Sequence, residues 1–245
     1  ITAAKKPLPL SFAVSEPSLY FSDILRAELK QLQIHFTGQI RTTQQAATQT
    51  TLVSHQSPSL DTLLRIMLKE SDNLIADVLF KTIGAEFYQQ AGNYRNGASA
   101  MQAILSEHGI DISQAYIADG SGLSRHNLLS AQILYDVLDY IIKHDENLQI
   151  IDMLPISGKD GTLQYRRGLV TKNLKGRIQA KTGSLKGAAN MVGVVSTEDN
   201  QKVPFVLMIN GYNTSKQKTP NRPSPLTQYL SAFFTSIVEQ DSPLK

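Results

Sequence analysis

Arg177-Ile178-Gln179-Ala180-Lys181-Thr182-Gly183-Ser184 is the stretch whose reading decides the fold. Its first four residues alternate polar and apolar, the period-two pattern of a half-buried strand. Residues 188–195 make a second strand-like run and residues 204–210 a third. Separations this short favour antiparallel pairing, because a parallel crossover needs a dozen residues or more. Lys181, Thr182 and Gly183 stand where the first strand is expected to stop. An ammonium and a hydroxyl there can hold an anion, and a glycine lets another backbone approach closely. Taken alone, Lys-Thr-Gly has a plainer meaning as a turn between two strands.

The residues upstream are largely helical. Residues 8–14 read as a short strand. A helix follows Pro17, with Phe21, Ile24, Leu25, Leu29 and Leu32 on one face. Residues 37–57, rich in Thr, Gln and Ser, read as edge strand and loop. Leu60, Leu63, Leu64, Met67 and Leu68 mark an amphipathic helix. A second helix begins after Ser71-Asp72-Asn73, with Leu74, Ile75, Val78 and Leu79 expected inward. Serine, aspartate and asparagine are the preferred N-cap residues, so capping is the plain reading of that joint. Gly92 and Gly97 punctuate the next stretch, and residues 98–108 read as helix. Residues 118–125 read as a short strand running into a glycine-rich turn that presents Ser124 and Arg125. The spacing of a phosphate-binding loop is absent there.

Ser130 is placed to cap a helix whose buried face is Ile133, Leu134, Val137, Leu138, Ile141 and Ile142. A polar loop covers residues 154–162. The last helix has Ser224 as its cap and Pro225 in its first turn, with Leu226, Tyr229, Leu230, Phe233 and Ile237 inward. Helices in the middle and three antiparallel strands near the end predict a mixed α/β layered domain.

Composition sets the outer bounds. A chain of 245 residues suits one or two domains, and 41% apolar with 18% charged residues is ordinary for a globular protein. The net charge of +3 is too small and too dispersed to point to nucleic acid, though it is compatible with an acidic small substrate. Absence of cysteine removes disulfides, thiolate catalysis and zinc–cysteine sites. His35, His55, His108, His126 and His144 have no ligand spacing, so neither a metal nor another cofactor is expected. No apolar run approaches the roughly 18 residues of a membrane span. Residues 1–14 lack the apolar core of a signal peptide, and the chain reads as processed or as part of something longer.

Three stretches together resemble one family. Lys69-Glu70-Ser71-Asp72-Asn73-Leu74-Ile75-Ala76-Asp77, Asp119-Gly120-Ser121-Gly122-Leu123-Ser124-Arg125 and Lys181-Thr182-Gly183-Ser184-Leu185 are similar to the motifs of penicillin-binding protein 4 type D-alanyl-D-alanine carboxypeptidases. Leu154-Pro155, Gly158 and Asp160-Gly161-Thr162-Leu163 supply a fourth match in the same order. The resemblance covers nearly the whole chain. It implies a penicillin-binding transpeptidase or β-lactamase-like α/β domain, an antiparallel sheet flanked by helices. It further implies a periplasmic serine acyl-transferase of peptidoglycan stem peptides that β-lactam antibiotics acylate.

Residue by residue, Ser71 resembles the hydroxyl that passes a proton toward the leaving amine, and Asn73 the amide that orients the substrate and the catalytic lysine. Lys181 matches the lysine that favours the substrate carboxylate and helps the proton relay. Thr182 would hydrogen-bond that carboxylate, and Gly183 would keep the strand edge open. The Ser184 N–H would be one of two oxyanion donors, a contribution of ~3 kcal/mol. Leu123 and Arg125 would touch the stem-peptide side chain; the alternative for Arg125 is a surface ion pair.

The family's S-x-x-K, which carries nucleophile and base on one helical turn, has no credible match. Ser215-Lys216-Gln217-Lys218 lies in a polar loop before Pro220, and Ser242-Pro243-Leu244-Lys245 contains a proline at the chain terminus. In this family accessory domains are inserted between S-x-x-K and S-x-N. Residues 1–18 are therefore expected to be a remnant of that insert, and residues 19–245 the C-terminal part of a catalytic domain incomplete on its N-terminal side. An upstream segment carrying S-x-x-K is the implied partner, and without it the chain is expected to be inactive. Two other readings compete. A serine β-lactamase would need a deacylating base, for which Glu107 is the candidate, in a helical pattern rather than a loop. A non-catalytic peptidoglycan-binding protein would have lost its nucleophile.

Overall fold

The computed structural model describes residues 13–41, 53–212 and 223–239. The chain divides into two compact units, Ile1–Gln56 and Ser57–Lys245. In the first, α1 (Pro17–Gln31) starts at the proline, whose missing N–H costs nothing in a first helical turn. Its expected apolar stripe is present but unburied: Phe21 is 67% and Leu32 69% exposed. Residues 13–14, 37–41 and 53–57 form no strand, and the rest of the expectations for 8–14 and 37–57 lies outside the described residues.

The second unit is built on a three-stranded antiparallel sheet in the order β1 (Ile178–Leu185), β2 (Ala188–Ser196), β3 (Lys202–Asn210). Side chains alternate across it and bury both faces. On one face Ile178, Ala180, Met191, Val195, Phe205 and Leu207 pack on α7 (Pro225–Val238). The excursion between residues 163 and 174 joins them through Leu163, Leu169 and Leu174, all fully buried. On the other face Val194 meets Leu138 of α5 (Ala131–Lys143), together with Ile151 and Leu154. Each fully buried leucine contributes about 2 kcal/mol of transfer free energy, enough to fix an excursion that has no regular hydrogen bonding of its own.

Ser130 and Ser224 cap α5 and α7 as expected, accepting from the N–H groups of Ile133 and Thr227. In α7 the buried positions are Leu230, Phe234 and Val238, while Tyr229 is half exposed. Leu226, Phe233 and Ile237 pack against the same cluster while partly buried, so of the expected inward residues only Tyr229 turns outward. A short α6 (Asp145–Leu148) follows α5.

The helical layer consists of α2 (Leu60–Lys69), α3 (Asn73–Tyr88) and α4 (Tyr94–Glu107). Gly97 is not punctuation: α4 begins earlier, at a reciprocal cap between Asn93 and Asn96. The glycines sit where α3 and α4 touch. A Cβ on Gly97 would lie 2.6 Å from the Phe80 carbonyl, and one on Gly84 2.5 Å from the Gly97 nitrogen. That contact decides which face of α3 is buried, so Phe80 is inside while Leu74 and Val78 are 74% and 52% exposed. Between α2, α3 and α4 runs an open apolar groove of about 740 Å³, lined by Leu60, Leu64, Met67, Leu79, Ile83 and Met101.

Residues 118–125 form no strand, only a bridge between Tyr116 and Leu128 beside them. Side chains take the donors a partner strand would have used. Asp119 accepts from the N–H groups of Gly122 and Ser124, both at 2.7 Å, and Asn127 from that of Ala118 at 2.8 Å.

Candidate active site

Lys181, Thr182 and Gly183 lie within β1 rather than at its end, since the strand runs on to Leu185. Lys186 and Gly187 then make a two-residue turn, Gly187 at φ +79°, and β2 pairs back with Thr182 opposite Met191. The sequence before Lys181 shows the alternation, but the polar Thr-Gly-Ser part hides the continuation.

β1 is an edge strand, and only its first half is covered. Pro155 accepts from the Ala180 N–H at 3.0 Å, and the Ser157 N–H donates to the Ile178 carbonyl at 2.9 Å. Those contacts point away from β2. By the period of two, the backbone groups of Thr182 and Ser184 point to that same side, beyond the reach of the covering loop. Gly183 and Ser184 are exposed, with no side chain at 183 to obstruct the edge.

The joint between α2 and α3 supplies the other wall. Asp72, not Ser71 or Asn73, is the cap of α3, accepting from the Ile75 N–H at 2.9 Å. That frees Ser71, which sits in the left-handed region at φ +59°. Its hydroxyl accepts a 2.6 Å hydrogen bond from the Lys181 ammonium across 110 positions of sequence. Lys181 Nζ also donates to the Thr182 carbonyl at 3.0 Å. Burial pushes the Lys181 pKa below the ordinary lysine value, and no carboxylate among the described residues pairs with it to offset this. Asn73 is exposed and its side chain makes no hydrogen bond among the described residues.

The third wall is the 119–125 loop. Asp77, one turn along α3 from Asn73, accepts from the N–H groups of Gly120 and Ser121 at 3.0 and 2.9 Å. Leu123 is 55% exposed. Arg125 forms no ion pair among the described residues; its guanidinium donates to the Lys186 carbonyl at 3.1 Å, tying the loop to the end of β1.

Several residues inside the motifs, to which the sequence assigns no role, make further contacts here. Lys69, at the end of α2, donates to the Asp160 carboxylate at 2.6 Å and to the Leu154 carbonyl at 2.7 Å. Asp160 in turn accepts from the Ile156 N–H at 2.8 Å. The loop that covers β1 is thereby clamped to the helix that leads into Ser71. Thr162, in the 3-10 turn Gly161–Leu163, lies 3.0 Å from Thr182, hydroxyl to hydroxyl. Nothing in the spacing of these residues signals the contacts, which span 91 and 20 positions. Glu107, by contrast, is exposed at the end of α4, where nothing in the structure marks it as a base.

An antiparallel sheet flanked by helices, with a lysine–serine contact beside its open edge strand, defines the penicillin-binding and β-lactamase-like class of α/β fold. The chain belongs to the D-Ala-D-Ala carboxypeptidase 3 (S13) family, whose pattern matches residues 1–233. It is 39% identical over 232 residues to the D-alanyl-D-alanine carboxypeptidase DacB of Haemophilus influenzae, covering 95% of this chain and 48% of that one. A carboxypeptidase DacB of Mycolicibacterium smegmatis is 33% identical over 165 residues, 66% of this chain and 36% of the relative. The crystal structure of penicillin binding protein 4 from Haemophilus influenzae, complexed with a β-lactam, superposes with a TM-score of 0.88 at 37% identity. That match covers 96% of this chain and 54% of the other. The chain thus spans about half the length of these Haemophilus influenzae relatives.

Proposed function

We propose that this chain supplies the C-terminal part of the catalytic domain of a periplasmic serine D-alanyl-D-alanine carboxypeptidase/endopeptidase that acts on peptidoglycan stem peptides and is acylated by β-lactams. The observation that carries the reading is the 2.6 Å contact from Lys181 to Ser71 beside an open strand edge.

The roles follow from the donors. A serine hydroxyl on an S-x-x-K segment attacks the penultimate D-alanine carbonyl, its proton passing to the neighbouring lysine. The new C–O bond puts negative charge on the carbonyl oxygen, where the outward Ser184 N–H can donate. When the C–N bond breaks, the departing amine needs a proton. Because Ser71 accepts from Lys181, its own proton is free to go to that amine, and Lys181 can replace it. Lys181 and Thr182 hold the substrate's terminal carboxylate, and Leu123 and Arg125 border the stem-peptide side chain. Asn73, exposed at the start of α3, is free to orient the substrate and the catalytic lysine of the S-x-x-K segment. Water then hydrolyses the ester and regenerates the serine.

The S-x-x-K segment belongs, in this reading, to a preceding half of the protein, with residues 1–18 the end of an inserted accessory domain. Two features support a missing neighbour on the helical layer. The apolar groove beside α2 and α3 is of a size to take a helix face, and among the described residues the buried Ser121 hydroxyl has no hydrogen-bond partner.

The test is labelling by a reporter penicillin, read by intact mass and peptide mapping. The 245-residue chain alone should take no stable adduct. With the S-x-x-K half supplied, covalently or as an associated fragment, the label should appear on that half's serine. An adduct on the isolated chain at Ser71 or Ser215 would show the nucleophile misplaced. Failure of the completed protein to acylate would favour the non-catalytic peptidoglycan-binding reading.

A further inference from the structure

We infer that Thr162 is a positioning residue for carboxylate recognition: by donating to Thr182, it orients and polarises the Thr182 hydroxyl toward an anionic group on the substrate. The inference rests on the reading of Thr182 as the carboxylate donor.

A threonine hydroxyl has one proton and two lone pairs, so the 3.0 Å contact between the two hydroxyls can run in only one direction at a time. If Thr182 gives its proton to Thr162, nothing remains for an anion at the strand edge. If Thr162 gives, Thr182 becomes an acceptor on one side and a free donor on the other. Thr162 has no other hydrogen-bond partner among the described residues, so no other described group competes for its proton. A carboxylate arriving at the edge selects the second state. The two hydroxyls and the carboxylate then form one polarised chain, in which each bond strengthens the next.

Thr162 is held for this task from both sides. Leu163 after it is fully buried in the core. Gly161 before it stands at φ +54°, and a Cβ there would lie 2.5 Å from the Lys69 carbonyl. One residue further back, Asp160 is fixed by Lys69 and by the Ile156 N–H. The turn therefore cannot move Thr162 away from Thr182 without breaking the clamp between α2 and the loop. A merely structural Thr162–Thr182 bond would tie loop to strand and affect every ligand alike.

The experiment uses the completed enzyme, this chain with its S-x-x-K half supplied, and a pair of acylating ligands that differ only in a free carboxylate against its methyl ester. The parent should acylate with the carboxylate ligand faster, and the rate ratio is the readout. Thr162→Val, which keeps the shape and removes the hydroxyl, should cut that ratio about tenfold while leaving the ester rate unchanged. Thr162→Ser should restore it. An unchanged ratio in Thr162→Val, or equal losses with both ligands, overturns the inference and leaves the Thr182 reading intact. A parent enzyme that does not distinguish the two ligands overturns the Thr182 reading itself, and this inference with it.

Discussion

The Lys181 ammonium donates to the Ser71 hydroxyl at 2.6 Å, and Ser71 is held there in a left-handed backbone conformation at φ +59°. A non-glycine residue with that geometry carries roughly 1 kcal/mol of strain, maintained by the structure around it. Here the strain turns the hydroxyl away from the helix cap and toward the strand edge.

That geometry separates stability from activity at one position. Ser71→Gly relieves the strain and Ser71→Ala does not, so the glycine variant should be the more stable of the two by about 1 kcal/mol. Both should slow acylation and deacylation in the completed enzyme by about 100-fold, because both remove the relay. Urea unfolding together with labelled-penicillin kinetics checks it; a glycine variant less stable than the alanine one would contradict the strain account.

Thr182→Val should slow acylation by carboxylated substrates at least tenfold, with the loss confined to ligands that bear the anion. Stopped-flow kinetics in the completed enzyme reads this directly. Parent-like rates would remove Thr182 from the site.

Lys69 and Asp160 form the clamp between α2 and the loop over β1, with the lysine side chain 15% and the aspartate 43% exposed. Lys69→Met leaves the Leu154 carbonyl and the Asp160 carboxylate without their shared donor. A loss of about 2 kcal/mol is expected in denaturant unfolding of the chain, between the values for exposed and buried pairs. Double mutation with Asp160→Asn should cost less than the sum of the single changes.

Burial of Lys181 lowers its pKa in the folded chain below the ordinary 10.5. The unfolded chain therefore binds more protons than the folded one in the window between the two values, and stability must rise with pH across it. The cost of burying the charge is fully present below the folded pKa and is relieved as pH climbs to 10.5. Against Lys181→Met, the parent should gain relative stability as alkaline pH increases. Thermal unfolding from neutral pH to about 10.5 measures the difference, and a flat difference would place Lys181 in a solvated setting.

Sequence by itself determined the elements whose signals are local. The alternation at the start of β1, the strand-like runs of β2 and β3, the caps at Ser130 and Ser224, and the periodic face of α2 each depend on neighbours within a few residues, and each was legible. So were the motifs that point to the family, because Ser71-Asp72-Asn73 and Lys181-Thr182-Gly183 are contiguous in the chain. Only the tertiary structure decided the rest. Which face of α3 is buried depends on glycines 84 and 97 at the α3–α4 crossing, a contact that helical periodicity cannot see. That Lys181 lies inside β1 depends on the β2 partner opposite it, since Thr-Gly-Ser has weak strand character of its own. The Lys69–Asp160 and Thr162–Thr182 contacts join residues with no shared periodicity. Side-chain hydrogen bonds act over about 3 Å, whatever the separation along the chain, so a sequence can name the groups while only the fold brings them within reach.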